Sequence, residues 1–588
     1  MARDCGGTWI MRWKQRVSWY ALSVWMLLVL GMSYGCGPDP QTKKATHMQQ
    51  GKTYLDAGKA AEAIIEFKNA IALDPKDSQA HYYHGRALIK RGGSKDLRNA
   101  FQAFSATIRI DAANLDAHLH LALIYLLDKQ FDKAHDQVLA VLQRDLQYVD
   151  AYLMLTQIHI AKQELSEAIR LLEKARELDP QRIATYMDLA RLQQRNNAPD
   201  LAERVYQQAL TVHPGSAEIM LALGEFYTSA QQWSKAEAHY RHALITHPQH
   251  VDLHLQSANL YAVQHKIPDT EAAYQQVIAL APRDIRPHMA LGDFYDVEQQ
   301  PDKAVAAYQQ AERVDALAIA PKRKLAALAL RQHKFSEVEQ YSAALLKMPE
   351  GKPYGLYYQG LIALTKQQYA DATTALQRVV QELPKFAQAH YSLGLGYVHQ
   401  KKWPQARTAL PEATKLAPHL VDAHLALATL EIDTQAFVQA IAPAEKALQL
   451  QPQNVQARLL LGQAYFGHGE TAKALAVFKD ITTHAPEDAR GYYYLGQAYR
   501  RQKLPREALA AFERALALNP TLSEARRQMI DIYRTTGDAA KADKLQREAI
   551  AQHPDKVTQQ LLLGELSLAQ DNIAGTEAAV VLENSHMA

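Results

Sequence analysis

The chain has 588 residues, of which 48% are hydrophobic and 22% charged, a composition that excludes a disordered polar chain and supports a large buried area. Its 65 basic and 62 acidic residues leave a net charge of +3, which gives no sign of the strongly basic footprint of nucleic-acid binders. Only two cysteines occur, Cys5 and Cys36, both ahead of the repetitive body, so that body has no disulfide framework and no cysteine metal site.

Residues 1–36 read as an export signal. Arg12, Lys14 and Arg16 precede the apolar run VSWYALSVWMLLVLGMSYG, which ends at Gly35, and the polar stretch CGPDPQTKK follows. The basic head stays on the cytoplasmic side, so everything after Cys36 is expected to be exported. A lone cysteine closing an apolar signal, with Gly35 before it, resembles the lipobox of bacterial lipoproteins. The resemblance implies that Cys36 is diacylated, becomes the N-terminus and holds the chain on a membrane. Gly37 after it implies, by likeness to enterobacterial sorting, the outer membrane facing the periplasm. An apolar run retained as a single membrane span, or simply cleaved, is the alternative reading. Residues 37–43 read as a short linker.

From residue 44 onward one pattern recurs. Prolines stand at the same place in successive units, as at Pro180, Pro214, Pro248 and Pro282, mostly 34 residues apart. Twelve residues before each proline sits a small residue, such as Ala63, Ala168, Ala236, Ala474 and Ala508, and Ala304 holds the same place in its unit. Four residues further on comes a bulky one, such as Phe67, Phe104, Tyr206, Tyr240, Tyr308, Phe478 and Phe512. Earlier in the unit a glycine precedes a tyrosine by three, as in Gly51/Tyr54, Gly224/Tyr227, Gly462/Tyr465 and Gly496/Tyr499. Apolar residues at three- and four-residue spacing make one helix face, and a small residue there lets a second helix come close. Proline closes the second helix. Each unit is therefore a helical hairpin that must stack on its neighbours to bury its remaining apolar surface.

The L-G-x2-Y…A-x3-F…A…P pattern resembles the tetratricopeptide repeat (TPR) family, over nearly all of the chain after the signal. The resemblance implies an all-α fold, a right-handed superhelical solenoid of about 16 helix-turn-helix repeats. Fifteen units are full and a sixteenth starts at Val557.

Three irregularities carry expectations. Residues 90–96 (KRGGSKD) hold an insertion in repeat 2 that is expected to lengthen its inter-helix turn. Repeat 9, residues 319–352, has Val338 at its small position and KMPEGKP at its end. It is expected to form a looser, hinge-like interface between an N-terminal array, residues 44–318, and a C-terminal array, residues 353–588. Pro411 and Pro443 fall within expected second helices, where kinks are expected.

No phosphate loop, nucleophile elbow, HExxH or paired-cysteine motif occurs, so the reading is non-catalytic, with no cofactor and no metal. Seven of the 24 histidines occupy the fourth position of their unit: His47, His81, His118, His254, His288, His390 and His424. They are expected to supply a ring at the hairpin contact. His239 and His242 lie three apart on one helix face, a weak zinc pattern without an acidic or cysteine partner.

The TPR resemblance also implies that partners bind along the concave face, at positions 2, 5, 9, 12 and 13 of each first helix. Those positions hold Tyr357, Tyr391, Gln463, Tyr493 and Gln497, joined near the end by Arg500, Arg501, Arg527 and Arg534. Tyrosine and arginine are favoured anchors at interfaces. The expected ligand is a partner protein of the envelope, with an anionic glycan or an enzyme complex as alternatives. The stretch AEAIIEFKNAIALDP, residues 61–75, resembles TPR lipoproteins linked to exopolysaccharide export and PEP-CTERM surface sorting.

Overall fold

In the computed structural model the described residues are 39–552; Cys36, the export signal and the partial unit from Val557 lie outside them. Among the described residues there are 30 α-helices and no strand, and they pair as fifteen hairpins. The first pairs Pro40–Asp56 with Ala60–Leu73, so residues 40–43 of the expected linker are already helical, with proline in the first turn. The last pairs Ser523–Thr535 with Ala539–Gln552. No helix among the described residues is long and apolar enough to cross a membrane.

The repeated residues do what their chemistry requires. The small residues of the second helices, among them Ala63, Ala168, Ala236, Ala304, Ala474 and Ala508, are completely buried. Across most hairpins the bulky residue four places on fills the space above the first helix. At Gly224 a Cβ would come within 2.3 Å of the Tyr240 ring, and at Gly462 within 2.3 Å of Phe478. Any larger side chain would force the two helices apart.

The turn between the two helices pivots on one left-handed residue. In eleven repeats it is not glycine, and its φ lies between 55° and 65°, as at Lys129, Asn197, Gln231, His265 and Lys503. Each such residue costs about 1–2 kcal/mol relative to a right-handed conformation, which the tertiary packing must offset. First helices open with side-chain caps: Asp77, Asn114, Ser216 and Asn454 each accept a hydrogen bond from a backbone N–H three residues on.

A second recurrent bond closes the turn between repeats. The fourth-position side chain reaches back to the carbonyl six residues earlier, usually that of the repeat's proline. His81 hydrogen-bonds Pro75 O at 3.0 Å, His254 reaches Pro248 O at 2.9 Å, and His390 and His424 make the same contact with Pro384 and Pro418. Tyr186 donates to Pro180 O and Arg526 to Pro520 O. Four of the fourth-position histidines thus satisfy a turn carbonyl, whereas His47 and His118 pair across their hairpins with the side chains of Glu66 and Gln137 at 2.6 and 2.9 Å.

The described residues form two compact units that divide between Leu280 and Ala281. In the first, one buried core runs without a break from Ala168 to Leu260, across four successive repeats. Repeat 2 departs from expectation. Its turn stays short, between Ser78–Arg91 and Ser94–Ile110, and the inserted residues extend the second helix to 17 residues. The extra turn is held at its start by Arg91, whose guanidinium grips the buried Asp96 carboxylate at 2.5 and 2.7 Å. Helical hydrogen bonds satisfy the three added residues more completely than a longer loop would.

The second unit includes repeats 8 and 9, so the packing divides the chain ahead of residues 319–352. Repeat 9 compensates its irregular residues internally. Val338 takes the bulk that other repeats place four residues later, and Ser342 takes the small role; Val338, Ser342 and Leu345 are all buried. The Ser342 hydroxyl donates to Gly355 O at 2.9 Å and the Tyr358 hydroxyl to Arg323 O at 2.6 Å. Pro411 and Pro443 sit inside the continuous helices Trp403–Leu416 and Phe437–Leu450.

Candidate functional site

The first-helix positions that were expected to meet a partner are recognisable in space, because they line concavities in both units. The clearest is in repeats 13–15. There a cavity of about 440 Å³ is lined by Gln456, Leu459, Gln463, Arg490, Tyr493, Tyr494, Leu522 and Glu524. Gln456, Leu459 and Gln463 are positions 2, 5 and 9 of repeat 13; Arg490 and Tyr493 are positions 2 and 5 of repeat 14; Glu524 is position 2 of repeat 15.

This site is organised from within. The Gln497 amide donates to the Tyr493 hydroxyl at 2.6 Å, and Tyr493 packs edge-on against Tyr494, whose ring stacks on the buried Phe478. Burial raises the hydroxyl pKa of Tyr493 and Tyr494, with Gln497 and Gln463 as hydrogen-bond partners acting the other way. Both phenols are therefore neutral and able to donate. Arg490 is fixed by a bidentate pair with Asp488, its Nη2 at 2.7 Å from Oδ2, and reaches Gln456 Oε1 at 2.9 Å. The Arg490 bond holds the Asp488 carboxyl below the usual range and lifts the guanidinium. The result is an apolar aromatic floor ringed by two amides, one guanidinium and the Glu524 carboxylate. It can hold an extended backbone and a small or planar side chain through neutral hydrogen bonds.

The other candidate residues separate into engaged and open groups. Arg500 is bound to Gln528 Oε1 and lies 3.5 Å from Asp531. Arg501 donates to Phe466 O at 2.5 Å with its guanidinium over the Phe466 ring. Arg534 donates to Gln546 Oε1 at 2.5 Å, and Gln546 is buried. Arg527 is exposed, one turn from these groups, with its charge felt at Tyr493. So Gln463, Tyr493 and Gln497 converge, with Arg527 beside them, while Arg500 and Arg501 join neighbouring repeats and Arg534 ties the two helices of repeat 15.

Tyr357 and Tyr391 belong to a separate cluster. The Tyr357 ring lies tilted against Phe386, centroids 4.8 Å apart, and its hydroxyl hydrogen-bonds Ser392. Burial, with Asp422 nearby, pushes the Tyr391 hydroxyl up to about 12. Next to them is a feature the sequence reading missed. Arg323, at position 5 of repeat 9, lies over the Tyr354 ring at 3.9 Å and shares a cavity of about 480 Å³ with Tyr354, Lys385 and Phe386. Position 5 of a repeat expected to be degenerate was the signal available.

In the first unit the carboxylate of Asp116, at position 2 of repeat 3, is held by two tyrosine hydroxyls. Asp116 accepts from the Tyr82 hydroxyl at 3.3 Å and the Tyr148 hydroxyl at 2.5 Å. Burial, then the Asp116 charge, pushes Tyr82 up to about 12. Asn259, the ninth-position asparagine, accepts from Tyr274 at 2.7 Å and is part of hairpin packing. His239 binds Met220 O at 2.8 Å whereas His242 is exposed, so the pair does not converge.

Stacked helical hairpins with side-chain concavities along their first helices define a repeat scaffold, whose chemistry is recognition. The chain belongs to the tetratricopeptide repeat family. The family's model matches residues 48–114, 119–183, 187–251, 357–418, 391–455 and 459–523, more than half of the chain. Such repeats are protein–protein interaction modules. Among solved structures the chain is similar to the APC/C hetero-tetramer Cut9–Hcn1, at 16% identity over 77% of this chain and 97% of that one, with a TM-score of 0.37. It is similar to pilF of Pseudomonas aeruginosa, at 22% identity over 33% of this chain and 89% of that one, TM-score 0.29. MamA from Desulfovibrio magneticus RS-1 is similar at 20% identity over 30% of this chain and 97% of that one, TM-score 0.27. No curated protein matches the chain.

Proposed function

We propose that this chain is a non-catalytic scaffold of the bacterial cell envelope. In this reading Cys36 is lipidated and anchors the repeats at the outer membrane, facing the periplasm. A partner protein docks along the first-helix face of the repeats, through the site around Gln463, Tyr493 and Gln497. The pathway in view is export of exopolysaccharide or sorting of surface proteins, and it rests on the likeness of residues 61–75 to lipoproteins of those systems.

The observation that supports a protein ligand is the composition of the repeat 13–15 cavity. Its lining offers the Gln456 and Gln463 amides and the Tyr493 hydroxyl, matched to peptide backbone, and Gln497 donates to Tyr493 and orients it in advance. The competing reading is an anionic polysaccharide held by the arginines. It has less support, because Arg500, Arg501 and Arg534 already bind protein atoms. An accessory role in an envelope enzyme complex is a special case of the protein reading, with the enzyme as partner.

The test is site-specific photo-crosslinking in cells from position 493, with a control position on a second helix. A discrete adduct that disappears in Gln463→Ala/Gln497→Ala supports the reading. Equal labelling from both positions argues against it. Labelling with a palmitate analogue tests the anchor: incorporation that Cys36→Ser abolishes is expected, and an unlabelled wild type removes the lipoprotein reading.

A further inference from the structure

The lengthened helix of repeat 2 creates a feature outside the five groove registers. A cavity of about 750 Å³ opens beside Ser94–Ile110. One wall is a single face of that helix, Ser94, Leu97, Arg98, Phe101 and Gln102, spaced at i, i+3, i+4, i+7 and i+8. The opposite wall comes from the inter-helix turn region of repeat 3, with Ile124, Tyr125, Leu127 and Lys133. Only Leu127 belongs to a groove position. The second helices of the two following repeats begin three residues before their small alanine, at Ala134 and Ala168; here the helix begins six residues before Ala100. The extra turn overhangs repeat 3 with no equivalent turn beyond it to cover its face.

The exposed chemistry is consistent. Phe101 and Tyr125 meet edge-on with centroids 5.5 Å apart and form the floor. Leu127, 60% exposed, adds an apolar edge at the mouth and extends the Phe101 and Tyr125 floor. Arg98 stands on one wall and Lys133 on the other, the latter 5.7 Å over the Tyr125 ring. The lining holds one carboxylate, Asp128, and it accepts from the Gln130 amide. Two cations on opposite walls therefore face the opening against one engaged acid.

We propose that this cavity is a second docking site, for an acidic amphipathic helix of a partner protein. A large apolar side chain of the partner fills the space between Phe101 and Leu127, and carboxylates on either side of it meet Arg98 and Lys133. A volume of this size suits one or two such anchors. The charge pattern sets the class: a ligand must present two separated acids to engage both walls, and a single-headed fatty acid presents one.

The test uses the full chain and a library of random 16-residue peptides displayed on phage. Enriched peptides are expected to carry an apolar residue flanked by Asp or Glu. Labelled versions should lose at least tenfold in affinity against Leu127→Glu and against Arg98→Glu, both exposed positions whose change leaves the core intact, and should bind Tyr493→Ala as they bind the parent. Circular dichroism and thermal midpoint of each variant confirm folding. Absence of enrichment, binding that survives both cavity variants, or dodecanoate binding there without peptide binding overturns the proposal.

Discussion

The ring of Tyr240 occupies the space a side chain at Gly224 would need: a Cβ there would lie 2.3 Å from Cζ and 2.6 Å from the hydroxyl oxygen, and Tyr240 is only 1% exposed. The two residues come from the two helices of one hairpin, so their fit sets the distance between those helices. Gly224→Ala is expected to cost about 1–3 kcal/mol by overpacking. Repeat 3 solves the same geometry differently, with Ala122 and Val138 at the corresponding positions, both fully buried. Gly224→Ala combined with Tyr240→Val should therefore recover part of the loss. Thermal midpoints of the two single variants and the double variant check this; a double variant as unstable as the sum of the singles would show that the two positions do not share one space.

Gln231 holds the pivot between the helices of repeat 6 at φ 56°. Glycine there removes a left-handed penalty of about 1–2 kcal/mol and adds an unfolded-state entropy cost of about 0.5–1 kcal/mol. Gln231→Gly is thus expected to be stabilising by up to about 1.5 kcal/mol, and Gln231→Val clearly destabilising. Urea midpoints for the two variants should move in opposite directions. Movement in the same direction would mean that the pivot conformation is not what limits this turn.

Much of this architecture could be read directly from residue types. Ala63, Phe67, Gly51 and Pro75 state a hairpin without reference to any other part of the chain, because each acts on a neighbour a fixed number of residues away. What was not legible depends on compensation between positions. Val338 looked like a defect, and only its exchange of volume with Ser342 shows that repeat 9 packs well. The residues of KRGGSKD looked like a loop, since two glycines dominate the stretch, yet Arg91 and Asp96 pin a helix start there. Among candidate binding residues, the repeat numbering put Gln463 and Gln497 at position 9 and Tyr493 at position 5 of adjacent repeats, and Gln497 lies within hydrogen-bond reach of Tyr493. It gave no means of telling Arg527, which faces outward, from Arg501 and Arg534, whose partners come from neighbouring helices.

Burial keeps His84 neutral. Its Nε2 has no hydrogen-bond partner, and desolvation, reinforced by the charges of Lys68, His81 and Arg91, pulls its pKa from 6.5 to about 4. An unfolded histidine takes up its proton near 6.5, so between that value and about 4 the unfolded state binds more protons. This contribution to stability is present above pH 6.5 and is lost as the pH falls toward 4, by at most about 3 kcal/mol. His84→Leu should flatten stability against pH across that window. The measurement is a series of denaturation midpoints from pH 7 to 4.5. Parallel curves for the variant and the parent would show that His84 is not the group responsible.

The arginines of the last repeats should divide by what they already hold. Arg534 donates to a buried glutamine, so truncating it removes a charge-assisted bond worth about 1.5–3 kcal/mol; the Arg501 bond to the Phe466 carbonyl is exposed, so its loss should cost no more than about 1 kcal/mol. Arg534→Ala and Arg501→Ala are expected to lower the thermal midpoint and to affect partner association only through that loss. Arg527 is exposed, and Arg527→Ala should change stability by no more than about 0.5 kcal/mol. If the groove meets a protein with acidic character, Arg527→Ala slows its association in low salt and the difference fades as salt is raised. The same variants also separate protein from polysaccharide. Alginate, as a defined polyuronate, should not be retained by the parent chain. Retention that Arg500→Ala/Arg501→Ala/Arg534→Ala abolishes, without a drop in folding, would mean these three side chains release their protein partners for a ligand, and the choice between the two readings would reverse.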